Sequence, residues 1–87
     1  MTAVEKITFL TMASKHGQIE SRIQAAFVEI GDIIQAHETK PEEIPREFLV
    51  GLRESLVSLE IRLTKDNSRE SLKTAIRRVD EHLSNNI

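Results

Sequence analysis

Apolar residues recur at alternating steps of three and four along most of this chain, and that spacing restricts it to packed helices. Phe9, Met12, His16, Ile19, Ile23, Ala26, Ile30, Ile33 and His37 hold the alternation without a slip. A mean step of three and a half keeps side chains on one face of an α-helix, whereas a strand needs a step of two. Phe27 and Ile34 widen this seam on one side. A second seam runs through Pro45, Leu49, Leu52, Leu56, Leu59 and Leu63, and a third through Leu72, Ile76, Val79 and Leu83.

Breaks fall between the seams. Glu38 to Pro45 carries two prolines and reads as a loop, and Pro45 suits a first helical position, where its missing N–H would have no partner anyway. Asp66-Asn67-Ser68 ends the second helix, with Asn67 and Glu70 spaced as a capping box. The expected architecture is all-α: a long helix over about 3–37, a second over about 45–65 and a third over about 68–85. The first two seams fold onto each other as an antiparallel hairpin about Pro41, pairing Ile19 with Leu63, Ile23 with Leu59, Ala26 with Leu56, Ile30 with Leu52 and Ile33 with Leu49. Gly31 and Gly51 then meet at one level. A second apolar row on the middle helix (Val50, Val57 and Ile61) needs cover, so the third helix folds back and completes a three-helix bundle. The alternative is a four-helix bundle broken at Gly17, since Lys15-His16-Gly17 has bases in a last turn and glycine just beyond. The seam keeps its phase through Gly17, which favours one continuous helix.

With 87 residues, 1–87 is a single helical domain. There is no Cys, Tyr or Trp and only three Phe, so the core is aliphatic and has no disulfide or thiolate site. No apolar run is long enough to cross a bilayer. The stretch Ile7 to Ala13 lacks a small-residue cleavage site, so a cytoplasmic, unexported protein is expected. The net charge of −2 is uneven. Residues 62–78 hold six bases (Arg62, Lys65, Arg69, Lys73, Arg77 and Arg78) against two acids, within an otherwise acidic chain.

In the three-helix form, residues 1–16 protrude beyond the second helix. This segment is apolar on more than one side, with Val4, Ile7 and Leu10 on one face and Phe9 and Met12 on another. Exposed apolar surface of this kind marks association sites, so Val4, Ile7, Phe9, Leu10 and Met12 are the candidate protein-interaction residues. Arg62, Lys65, Arg69, Lys73 and Arg77 form a candidate face for an anionic partner, because Arg69, Lys73 and Arg77 are spaced to share one side of a helix.

No catalytic, cofactor or metal constellation stands out. There is no Glu-x-x-His or His-Glu-x-x-His pair and no glycine-rich phosphate loop. Ser14, Lys15 and His16 are consecutive, so on a helix they point apart. Arg22 and the pair Arg46-Glu47, set in one long and two shorter helices, resemble in layout the helical chorismate mutases. That likeness implies a pocket for a dianionic substrate. The lysine that should line it from the first helix has no counterpart here, since Asp32 and Gln35 occupy the region. The expected function is a small non-catalytic interaction module (adaptor, inhibitor, regulator or chaperone-like subunit) that binds a protein partner or forms a homodimer or other oligomer by coiled-coil-like faces. A nucleic-acid-associated regulator using the basic face and a small helical enzyme with an anion pocket are the alternatives. No cofactor and no membrane contact are expected.

Overall fold

A computed structural model describes residues 2–17 and 19–85, and those residues form a bundle of four α-helices: α1 (Ala3–His16), α2 (Glu20–Ala36), α3 (Arg46–Leu59) and α4 (Asp66–Asn85). Short 3₁₀ turns at Pro41–Glu43 and Glu60–Arg62 precede α3 and α4. The helical bundle matches the sequence expectation in the form broken at Gly17. Gly17 is extended (φ −70°, ψ 141°), and so is Ile19, so the continuous helix over 3–37 does not form. Space, rather than backbone freedom, requires glycine at this break. A Cβ added there would lie 2.9 Å from the Ala13 carbonyl oxygen and 3.0 Å from Ile23 Cγ1.

Because the chain turns at Gly17, α1 folds back on α2 and also touches α3. Residues 2–16 therefore do not protrude; Met1 lies outside the described residues. Thr2 starts the helix with its hydroxyl accepting from the Glu5 N–H at 3.2 Å, and Glu5 Oε1 accepts from that hydroxyl at 3.1 Å. The Thr-x-x-Glu spacing that makes this cap was legible in the sequence.

The helices alternate in direction along the chain. However, α2 packs chiefly on α4, then on α1, and sits diagonally across from α3. This corrects the expected hairpin of Ile19–Ile33 against Leu49–Leu63. Gly31 faces Ala75 and Arg78 of α4, where a Cβ would meet Ala75 Cα at 3.7 Å. Gly51, its expected neighbour, has nothing within 4 Å of an added Cβ. Asp32 pairs with Arg78, and Glu20 with Ser68, so α2 and α4 run parallel. The nine-residue connection from α2 to α3 crosses the diagonal, and Ile44 within it is fully buried as a plug at that end of the core.

Core positions also rotate relative to the expected seams. In α2, Ala26, Phe27, Ile30 and Ile34 are buried while Ile33 is partly exposed, so the side thought to widen the seam is its centre. In α1 the inner face is Ile7, Thr11 and Ser14 rather than Phe9, Met12 and His16. Thr11 and Ser14 satisfy their buried hydroxyls by donating to the carbonyls of Ile7 and Leu10, at 2.8 and 2.9 Å. The α3 seam is the expected one, with Leu49, Leu52, Leu56, Leu59 and Leu63 all buried. α4 buries Ser68, Leu72, Ala75, Val79 and His82. The row Val50, Val57 and Ile61 stays exposed, Ile61 at 89%, so covering that row is not what recruits α4.

Substitutions in α2 test the rotated register. Ile34→Ala is expected to cost about 2–5 kcal/mol and Ile33→Ala clearly less, the reverse of what the sequence seam implies. Gly17→Ala should cost about 1–3 kcal/mol, because backbone must shift to admit the methyl group. Urea unfolding midpoints of the three variants check both expectations.

Candidate functional site: the exposed face of α1

Among the described residues two apolar surfaces stay outside the bundle, the row Val50, Val57 and Ile61 and the outer side of α1, and the second carries an exposed aromatic side chain. On α1, the steps from Glu5 to Phe9, Met12 and His16 are four, three and four, which aligns them along the side opposite Ile7, Thr11 and Ser14. Phe9 is 65% exposed and Met12 55%. Of the other expected interaction residues, Val4 and Leu10 are half-buried and Ile7 is fully buried in the core, so Ile7 is structural.

Two shallow grooves flank this ridge. On the α2 side, Ala13, His16, Ile19, Ile23 and Ala26 line one of about 410 Å³. On the α3 side, Thr8, Met12, Phe48, Gly51 and Leu52 line one of about 350 Å³, with Lys15 and Glu47 also on its wall. The neighbouring helices run parallel here, since each is antiparallel to one of the parallel pair α2 and α4. Glu47, near the start of α3, therefore lies at the end of this groove that holds Thr8, and Lys15 lies at the other.

Gly51 forms the apolar floor. It lies mid-helix, has no positive φ and is close to nothing. Glycine in a helix interior costs about 0.5–1 kcal/mol relative to alanine. The bundle itself has no use for a residue without a side chain at this place.

The second candidate face is largely engaged within the molecule. Arg62 Nη1 donates to the Lys15 carbonyl at the end of α1, and Arg69 Nε donates to the Leu63 carbonyl at 3.2 Å. Arg77 lies 3.7 Å from Glu81, one turn on. The side chains of Lys65 and Lys73 are exposed.

At the corner between α3 and α4, Glu20 does what Asn67 was expected to do. Its Oε1 accepts from the N–H groups of Thr64 and Lys65, both at 2.8 Å, and from Ser68 Oγ at 2.6 Å. Its Oε2 accepts from Thr64 Oγ1 at 2.8 Å. α4 begins at Asp66, so Asn67 lies inside the helix, and the carboxylate of another helix caps the corner. Bonds from the Ser68 hydroxyl and then the Lys65 N–H stabilise the ionised form and lower the Glu20 carboxyl to about 2.

Catalytic geometry does not assemble from the expected elements. Ser14 is buried and bonded to its own helix, while Lys15 and His16 are exposed. Arg22 and Arg46 begin antiparallel helices and so stand at opposite ends of the bundle, with Arg46 Nη1 on the Leu83 carbonyl at 3.1 Å. Asp32 is paired with Arg78 at 2.8 Å. Among the described residues no group of three or more His, Asp or Glu is placed to hold a metal ion, and no helix is long and apolar enough to cross a membrane. Comparison with protein-family models, with curated proteins and with solved structures returned no match to this chain.

The Glu20 clasp carries a pH signature. Its folded carboxyl titrates well below the ordinary 4.5, so the folded state binds fewer protons than the unfolded chain over that interval. The stabilisation is complete above 4.5 and is lost as pH falls towards about 2. Glu20→Gln should be less stable than wild type at neutral pH, and the difference should shrink through that interval. Urea midpoints of both proteins as a function of pH provide the measurement.

Proposed function

We propose that this protein is a small non-catalytic interaction module, working in the cytoplasm, that binds a protein partner through the outer face of α1. One observation carries the reading. The Phe9–Met12 ridge and the Gly51-floored groove beside it form an apolar surface that the bundle neither covers nor needs. Aromatic and methionine side chains are the types enriched at the cores of protein interfaces. Adaptor, inhibitor and chaperone-like roles all use such a face, and the partner decides among them.

Anionic partners have less support. Two of the five bases on that face, Arg62 and Arg69, donate to main-chain carbonyls of the bundle, and Arg77 has Glu81 beside it. Nucleic-acid contact by the remaining lysines would be weak and steeply salt-dependent.

Photo-crosslinking in the protein's native cells tests the reading. A crosslinking phenylalanine analogue at position 9 should give a discrete protein adduct, and the same analogue at Val28, another exposed apolar position, should not. Equal yields at both sites would overturn the proposal. Phe9→Ser with Met12→Ser should abolish the association and leave the thermal midpoint of the dilute protein within a few degrees of wild type, since exposed substitutions cost about 0.5 kcal/mol or less.

A further inference from the structure

Resting on that reading, the geometry points to a particular occupant: we infer that the outer face of α1 docks on a second copy of this chain. The two α1 helices would lie antiparallel, with Met12 of each copy seated over the α1–α3 groove of the other and Phe9 packed along the shared ridge.

Shape favours this arrangement. A two-fold contact requires one surface to carry both the knob and its hole. Met12 is an exposed knob on the α3 side of the ridge, and the hole lies beside it on that same side. Rotation about an axis that crosses α1 between Phe9 and Met12 keeps the α3 side of one copy opposite the α3 side of the other, and so places each Met12 over the other copy's groove, beside Phe48 and near the open floor at Gly51. Gly51 then has a purpose. A side chain there would project into the space that the incoming side chain occupies, whereas in the isolated bundle an added Cβ meets nothing within 4 Å.

Charge gives the direction. The ridge carries Glu5 at its N-terminal end and Lys15 and His16 at its C-terminal end. The groove wall carries Glu47 at the first of these ends and Lys15 at the second. A parallel pair would set Glu5 against Glu5 and turn Lys15 towards Arg22 on the α2 side of the other copy. An antiparallel pair sets Glu5 of one copy beside Lys15 and His16 of the other, and Lys15 beside Glu47. Like charges brought face to face disfavour the wrong orientation. The patch is one helix face and part of another, so the contact belongs among small interfaces, and a weak dissociation constant is expected.

The experiment is sedimentation equilibrium of the full chain from about 1 µM to about 1 mM, a range that brackets such a constant. Wild type should pass from monomer to dimer. Gly51→Leu should fold with unchanged helicity and an equal or higher thermal midpoint, because nothing surrounds the site, yet raise the dissociation constant about tenfold or more, as loss of a central contact does. Lys15→Glu should weaken the dimer, and adding Glu47→Lys in the same chain should restore it.

Each contrary result is decisive. A wild type that stays monomeric throughout removes self-docking. A Gly51→Leu protein that dimerises as wild type does would place the contact on another face. A charge-swapped double variant no tighter than Lys15→Glu alone would reject the antiparallel pairing. These failures are separable from failure of the broader reading. A monomeric wild type whose position 9 still crosslinks to a different protein keeps the interaction module and loses only the second copy. A monomer without a position-specific crosslink loses both.

Discussion

α2 and α4 lie side by side because Gly31 and Ala75 present almost no bulk where they meet, and the rest of the bundle follows from that contact. Glu20 holds its register at one end through Ser68 and the turn before it, and Asp32 with Arg78 holds it at the other. Two helices locked in parallel cannot be joined by a short turn. α3 must intervene between them, entering by a connection that crosses the bundle and returning by the corner that Glu20 caps. α1 then fills the remaining side. The Glu20 clasp matters beyond its own bonds, because it orders two backbone N–H groups and two hydroxyls of a corner that has no glycine or proline to set its shape.

α1 is the helix held with least apolar area. Its inner face offers one large, fully buried side chain, Ile7, followed by Thr11 and Ser14, which bond to their own helix. Half-buried Ala3 and Leu10 add to this at the edge of the core. Elements with few buried apolar contacts open at lower free energy than the rest of a fold. The same helix carries the most conspicuous exposed apolar ridge. Docking on the outer face of α1 would therefore brace a marginal element as well as form an interface, and would couple association to local stability.

Much of the fold was legible in the residues. The α3 seam of leucines is buried as its spacing required, the break at Pro41 to Pro45 falls where two prolines put it, and the all-helical class follows from a repeat of three and a half. Phase through Gly17 misled, because nine residues from Phe9 to His37 fit one line although the chain turns in the middle. Lys15-His16-Gly17 marked that turn, but a stop signal in the sequence is a local preference, while part of the crowding that favours glycine there, the approach of Ile23, exists only after α1 has folded onto α2. Of the candidate interaction residues, Phe9 and Met12 are exposed, whereas Ile7 is core. Gly51 was visible as a costly helix glycine, but its open groove was not, since pairing it with Gly31 gave a reason that the packing removes.

Residue spacing alone determined that this chain makes amphipathic helices, where the prolines stop them and that its core is aliphatic, because those properties reside in the periodicity of single segments. Tertiary structure alone decided which helices are neighbours, which side of each seam is the centre and which carboxylate caps which helix. Those depend on how closely two backbones approach at Gly31 and Ala75, and on a hydrogen-bonding reach of forty-eight residues from Glu20 to Ser68. Neither is written in the step between one apolar residue and the next.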